Sequence, residues 1–244
     1  MTSVFTEKVD QAGLEDMPEE YREILVHQML ANGEGELSAG DTYIDSFYPL
    51  APDATERYKC CQFAMEEIDH YRRFARLLKE IGVDTSHMVK QEKKDRRYFP
   101  ADSMTEPFTQ WEERAAFSFL CELEGHFQIK EMTQSSYQPL VTEAAAILKE
   151  EAAHFGHGKV LMRRAHEDPV TRERAQKALN RYYPMALDMF GRSDSVRAAK
   201  AVRWGLRQHT NAELRELYKK RIHEHIEQIG YATPPDDPSQ RRYL

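Results

Sequence analysis

The chain has 244 residues, of which 41% are hydrophobic and 31% charged, and its formal net charge is −7. Glycine and proline are sparse, at 11 each, which is typical of helix-rich globular proteins and argues against collagen, low-complexity chains and strand-rich sandwiches. No apolar run is long enough for a membrane helix, and the negative balance argues against a nucleic-acid partner. An odd number of cysteines and a polar start without a secretory signal predict a reducing, cytoplasmic location.

The predicted elements are helices, because long stretches run between the few breaker residues. In chain order they cover about 18–48, 53–82, 106–134, 139–166, 170–190, 193–206 and 211–230. The tail from residue 233 is predicted to be extended, and no segment is predicted as a strand.

Short connections join the four long helices into two hairpins. The turn at 135–139 makes helices three and four antiparallel neighbours, and the proline-bounded segment 49–52 does the same for helices one and two. The longer connection between the hairpins fits a crossover. The sequence therefore predicts an all-α four-helix bundle in one domain, with its core at about 18–166, a C-terminal helical extension at 170–230 and a tail at 231–244.

The pattern E-E-x-x-H occurs in helix two and again in helix four. Since residues three apart share a helix face, Glu67 and His70 can direct a carboxylate and an imidazole to one point. Glu151 and His154 can do the same. One such motif is expected by chance in a chain this rich in glutamate, whereas two at equivalent positions of two hairpins indicate a function.

The first helix of each hairpin offers one further carboxylate. Glu36 lies at the centre of the apolar stripe of helix one, and Glu122 at the centre of that of helix three. Glu36 precedes Glu67 by 31 residues and Glu122 precedes Glu151 by 29. This near-equal spacing indicates an internal duplication of one hairpin. Polar groups in such stripes are costly unless something binds them.

Four carboxylates and two imidazoles are the ligand set of a di-iron or di-manganese site in a ferritin-like bundle. Two divalent cations balance the four negative charges, which would otherwise repel one another in a dry core. Mixed oxygen and nitrogen ligands favour iron or manganese over a thiolate-bound metal. The predicted ligands are Glu36, Glu67, His70, Glu122, Glu151 and His154, with Glu34 and Glu124 as alternatives to their neighbours.

Several residues near the predicted ligands have candidate roles. Glu66 and Glu150 are predicted to accept the imidazole N–H of the opposite hairpin's histidine. Tyr43 shares the face of Glu36, and either core packing or a role near the metal fits it. His157 is interpreted as a surface residue. Small residues one turn from the ligands either allow close helix packing or leave a cavity beside the metals: Gly33, Gly40, Ser118, Gly125 and Gly158.

The sequence resembles a known family, the catalytic subunits of the phenylacetyl-CoA epoxidases. The resemblance covers most of the chain and rests on the two E-E-x-x-H repeats and on the stretches 184–191, 201–205 and 210–214. It implies a carboxylate-bridged di-iron centre that activates O2 and inserts one oxygen atom into an aromatic or unsaturated acyl-CoA. Epoxidation or hydroxylation in phenylacetate-type catabolism is the expected reaction, with the six predicted ligands as the iron ligands. The family often has Asp at the position of Glu122.

The resemblance also implies partners. Family members work beside a homologous subunit without metal, and a flavin and iron–sulfur reductase supplies their electrons. This chain has no cysteine cluster or dinucleotide fingerprint, so we expect an external reductase. We also expect a homo-oligomer or a homologous partner subunit. The basic run 90–97 is interpreted as solvated, with contact to CoA phosphates as the alternative.

Two other functions stay open at this point. One is a ferritin-like metal-binding or peroxide-scavenging protein without an organic substrate. The other is a non-catalytic partner subunit of such an oxygenase, against which the full candidate ligand set argues. The sequence does not identify the substrate.

Overall fold

The computed structural model describes residues 4–97 and 107–242. Its α-helices in chain order are α1 (Glu19–Thr42), α2 (Ala54–Glu80), α3 (Trp111–Met132), α4 (Gln138–Glu167), α5 (Pro169–Asp188), α6 (Val196–Arg203) and α7 (Asn211–Ile229). The predicted all-α, ferritin-like class is confirmed. Within the described ranges, β-type pairing is limited to one isolated bridge between Val9 and Tyr137. None of the helices described is both long and apolar enough to cross a bilayer.

Side-chain caps explain where two of the bundle helices begin. The Asp53 carboxylate accepts the backbone N–H of Glu56 at 2.9 Å, which satisfies an otherwise unpaired donor in the first turn of α2. Gln110 and Glu113 form a reciprocal capping box at the start of α3. The sequence predicts this start near residue 106, which lies outside the described residues, but residues 107–110 are described and are not helical, so α3 begins later than predicted.

The end of α1 differs from the expected continuous helix to residue 48. The α-helix stops at Thr42 and continues as a π-helical turn, Tyr43–Phe47, and a short 3-10 turn, Tyr48–Leu50. Pro49 lacks the backbone N–H that a continuing α-helix would use, although Tyr48 before it keeps helical angles, with φ −56° and ψ −43°. Both Tyr43 and Phe47 are buried, so the wider turn still directs aromatic side chains into the bundle.

The two predicted hairpins are the most extensive helix pairs of the molecule: α3 with α4, and α1 with α2. Helix α5 packs on α3 and α4, and α7 packs mainly on α3. Helices α5 and α7 therefore cover the second hairpin, whereas α6 contacts α1 of the first. The tail has a short 3-10 turn, Pro238–Gln240, and is held by the backbone N–H of Arg242, which donates to Asp188 at 2.7 Å.

The basic run 90–97 is less solvated than expected. Arg96 is only 6% exposed, donates to Ser38 Oγ at 2.7 Å and forms an ion pair with Asp41. Lys93 pairs with Asp45 at 2.9 Å. A guanidinium leaves water only where partners replace its hydration, so the solvated interpretation is wrong for Arg96, which ties the crossover to α1.

Candidate metal centre

The six predicted ligands lie together between the four long helices. Helix α1 supplies one carboxylate, α2 a carboxylate and an imidazole, α3 a carboxylate, and α4 a carboxylate and an imidazole. None is more than 9% exposed. Their atoms form two groups that could each hold a metal ion.

The first group, called the His70 group, consists of Glu36, Glu67, His70 and Glu151. His70 Nδ1 lies 3.3 Å from a Glu36 oxygen, 3.6 Å from Glu67 Oε2 and 3.4 Å from Glu151 Oε1. One imidazole nitrogen thus faces three carboxylates from three helices.

The second group, called the His154 group, consists of Glu67, Glu122 and His154. His154 Nδ1 lies 3.0 Å from Glu67 Oε1 and 3.8 Å from Glu122 Oε2. Glu67 presents one oxygen to each imidazole and belongs to both groups. It therefore occupies the position that a carboxylate bridging two metal ions would take.

A carboxylate from the opposite hairpin orients each imidazole. His70 Nε2 lies 2.7 Å from Glu150 Oε2, and His154 Nε2 lies 2.7 Å from Glu66 Oε2. A carboxylate can only accept there, so the Nε2 proton is held in place. Each Nδ1 is left to face the centre, as a metal-binding imidazole requires.

Burial does not separate Glu36 and Glu122 from their neighbours, but hydrogen bonding does. Glu124 is buried and accepts from Gln128 on its own helix at 2.7 Å, and Glu34 accepts the backbone N–H of Arg97 at 3.1 Å. Neither belongs to the two groups found among the described residues. The Tyr43 hydroxyl donates to Glu122 Oε1 at 2.6 Å, which leaves Oε2 for the centre.

The glycines near the site serve close packing. A Cβ at Gly40 would lie 3.3 Å from the Ala64 carbonyl oxygen of α2, and one at Gly158 would lie 2.7 Å from the Phe119 nitrogen of α3. A Cβ at Gly125 would come within 3.1 Å of a Glu151 carboxylate oxygen. Any side chain would push these helices apart or displace that carboxylate.

Burial and mutual repulsion oppose full ionisation of the carboxylates at this centre. Burial, then the Glu67 charge, raises the pKa of Glu122 to about 8, and burial also raises the pKa of Glu36 and of Glu151. Burial opposes charge on His154 as well, yet the neighbouring carboxylates of Glu66 and Glu67 raise its pKa to about 11. Protons therefore supply the charge that cations would otherwise bring.

Two buried atoms make the fit to a metal specific. Glu67 Oε1 and His154 Nδ1 lie 3.0 Å apart, and neither has a hydrogen-bond partner within the described parts of the chain. The two atoms are within ion-pair distance but without the geometry of a hydrogen bond. A cation between them would bind both lone pairs, and four carboxylates with two imidazoles suit iron or manganese. The residues present fit a two-metal site.

A sequence profile of the phenylacetic acid catabolic protein family matches residues 8–242. The chain belongs to this family. It is also similar to one subunit of the 1,2-phenylacetyl-CoA epoxidase of Escherichia coli (strain K12), with 23% identity over 224 residues, 91% of this chain and 72% of that protein. The resemblance drawn from the motifs is confirmed at the level of the family.

This member of the phenylacetic acid catabolic protein family also contains a network of three polar side chains that the sequence did not predict. It consists of Glu56, Arg114 and His157 and is called the His157 network. The His157 side chain is only 14% exposed, so its interpretation as a surface residue is wrong. Its Nδ1 accepts from Arg114 at 3.2 Å, and its Nε2 lies 3.0 Å from Glu56. Burial, then Arg114, lowers the pKa of His157 to about 3. Arg114 is fully buried, 5.5 Å from the Tyr43 ring centre.

One feature of the sequence could have indicated the His157 network. Arg114 directly precedes an apolar run on a helix that is otherwise buried. A guanidinium in that position needs either solvent or a polar partner from another helix. The sequence does not show which, because the partner comes from α4.

Proposed function

We propose that this chain is the catalytic subunit of a di-iron monooxygenase that inserts one oxygen atom from O2 into an aromatic or unsaturated acyl-CoA. The observation that carries the proposal is the pair of buried Glu/His groups that share Glu67. Similarity to a component of an epoxidase supports the reaction class.

In this proposal, the His70 group and the His154 group each hold one iron ion, and Glu67 contributes to both. When bound, the two ions supply the redox chemistry that activates O2, with electrons from an external reductase. Manganese is the alternative metal for the same ligands.

The protein's own residues prepare the site. Glu150 and Glu66 hold protons on the outer imidazole nitrogens, which keeps both inner nitrogens available. Tyr43 fixes Glu122 by donating to Oε1. The ring of Phe63 lies 4.4 Å from that of His154 and 5.6 Å from that of Tyr43, so this side of the site is shielded from water. In such a site, electrostatic interactions are stronger than in water.

A second function, metal binding or peroxide scavenging without an organic substrate, is favoured by one observation. The glycines beside the ligands pack against neighbouring helices and do not themselves leave space for a substrate. An external reductase and a homologous partner subunit belong to the first proposal and not to the second.

The decisive experiment measures metal content and turnover in the same preparation. We expect two iron ions per chain, a Mössbauer signature of a carboxylate-bridged pair, and O2-dependent oxygen insertion into phenylacetyl-CoA or a related acyl-CoA in the presence of a reductase and a homologous partner subunit. Two iron ions without any oxygenated product would favour the second function. A chain that binds no metal under reducing conditions would contradict both.

A matched pair of variants tests the ligands. Glu122→Gln removes a proposed ligand, whereas Glu124→Gln changes a buried carboxylate on the same helix that accepts a hydrogen bond from Gln128. We expect the first variant to lose iron and the second to keep two ions. The reverse result would reassign the α3 ligand to Glu124.

A further inference from the structure

A pocket of about 530 Å³ lies on the outer side of the α3–α4 hairpin, next to α7. Its apolar lining comes from all three helices: Leu123 and Phe127 of α3, Phe155 of α4 and Leu217 of α7. The volume lies within the range of small-molecule sites, about 300–1,000 Å³.

This pocket is distinct from the candidate metal centre. Two of its lining residues, Leu123 and Ala152, directly follow Glu122 and Glu151 in the chain. Consecutive residues of an α-helix point about 100° apart, so the pocket side chains turn away from the carboxylates. Nothing in the proposed oxygenase chemistry uses this space.

Cationic side chains line the same pocket. Lys130, Lys220 and Arg221 are all exposed there. Arg221 is balanced by Glu224, at 3.0 Å. Lys130 and Lys220 form no ion pair within residues 4–97 and 107–242. The pocket thus combines an apolar lining with two unbalanced positive charges, which suits a ligand with an apolar body and an anionic end.

A buried imidazole supplies a neutral donor. His225 lines the pocket and is 5% exposed. Its Nδ1 accepts from Lys159 Nζ at 2.8 Å, so the ring proton lies on Nε2. This Nε2 has no hydrogen-bond partner in the described part of the chain. Buried donors are rarely left unpaired, so this Nε2 is available to an acceptor from a ligand.

We propose that this pocket binds a small amphipathic carboxylate, aromatic or aliphatic. Its apolar part lies against Phe127, Phe155 and Leu217. Its carboxylate lies near Lys130 and Lys220. One carboxylate matches this cationic edge, since an apolar ligand would gain nothing from the two ammonium groups and a larger polyanion would leave the apolar lining unused.

The test uses calorimetric titration of the full chain with 3-phenylpropanoate and octanoate, which separate an aromatic from an aliphatic ligand. At least one is expected to bind with Kd on the order of a millimolar, given the small number of ligand atoms. Acetate tests the charge alone, and 3-phenylpropan-1-ol and octan-1-ol test the apolar part alone. We expect these three to bind about fivefold more weakly or not at all.

Charge reversal tests the edge of the pocket. The double substitution Lys130→Glu and Lys220→Glu changes two exposed positions and is expected to weaken carboxylate binding at least about tenfold. The control is the single charge reversal Lys177→Glu, at an exposed lysine on α5, which is expected to bind as the unsubstituted chain does.

A space-filling change tests the cavity itself. Ala152→Phe adds a ring at an exposed position that lines the pocket and is expected to remove binding of every probe while helicity stays unchanged by circular dichroism. The proposal is overturned if neither carboxylate binds the unsubstituted chain. It is also overturned if the charge-reversed variant binds both carboxylates as tightly as the control.

Discussion

The His70 group and the His154 group come from the same motif and differ in what surrounds the imidazole. His70 Nδ1 has three carboxylates within 3.6 Å. His154 Nδ1 has two, at 3.0 and 3.8 Å. The repeated spacing therefore sets which residues reach the centre, whereas packing sets how many carboxylates each imidazole faces.

The surroundings diverge further one turn along each helix. On the His70 side, the residue three positions on is Arg73, which donates to Asp69 at 2.8 Å and to Glu143 at 3.1 Å. On the His154 side, the residue three positions on is His157, which accepts a hydrogen bond from the buried Arg114. Among the residues that the structure describes, a tyrosine hydroxyl bonds to a carboxylate of the His154 group alone. Equal motifs thus have unequal surroundings.

The largest expected effect comes from Glu67, which the two groups share. Glu67→Ala removes an oxygen from both, so the iron content is expected to fall from two ions per chain to at most one, measured by elemental analysis after anaerobic loading. Glu151→Ala is also expected to leave at most one ion. If both variants keep two ions, the site assignment is wrong.

The next effect concerns the outer carboxylates. Glu66→Gln and Glu150→Gln weaken the hydrogen bonds that orient the two histidines, and iron affinity is expected to fall about 10–100-fold in chelator competition. Glu66 should matter more, because its side chain is 20% exposed against 41% for Glu150 and a drier hydrogen bond is stronger. Glu167→Gln on α4 is the control. Equal losses in both variants would contradict the asymmetry.

The pH dependence of stability tests the His157 network, which lies on the His154 side. Because the pKa of His157 is lowered to about 3 in the folded state, the unfolded chain takes up a proton first as pH falls below about 6.5, and stability is lost. In urea unfolding of the metal-free protein at pH 7 and pH 4.5, His157→Gln should reduce this loss by about 2 kcal/mol.

Glutamine stays polar but cannot be protonated, so the substitution isolates the charge. His87→Gln, at an exposed position, is the matched control and should leave the loss unchanged. Identical losses in the unsubstituted chain and in His157→Gln would show that other groups cause it.

The smallest expected effect is that of the tyrosine hydroxyl. Tyr43→Phe removes the bond to Glu122 Oε1 and should weaken iron binding by about tenfold at the His154 group alone. Mössbauer spectra of partly loaded protein would show iron kept at one site and depleted at the other. Tyr58→Phe, at a position 68% exposed, should leave both sites equal. Equal depletion of the two sites would show that Tyr43 does not act on one group.

Through helical periodicity, the sequence by itself determined the helices of this protein and the inward faces that carry the predicted ligands. The spacing in each E-x-x-H motif and the apolar stripes around it place Glu67, His70, Glu151 and His154 on inward helix faces, because 3.6 residues per turn leave few other orientations. The same argument predicted the helices and the hairpin pairing, which the structure confirms. That these residues bind metal stays a prediction.

Only the tertiary structure decided which atoms meet. Glu122 and Glu124 are both buried, at 7% and 3% exposure, so hydrophobic pattern could not separate them. The π-helical turn places Tyr43 on Glu122, and the partner of Arg114 comes from another helix. Periodicity determines the face of a helix, but contacts across helices depend on rotation and separation, which the packing of the whole core determines.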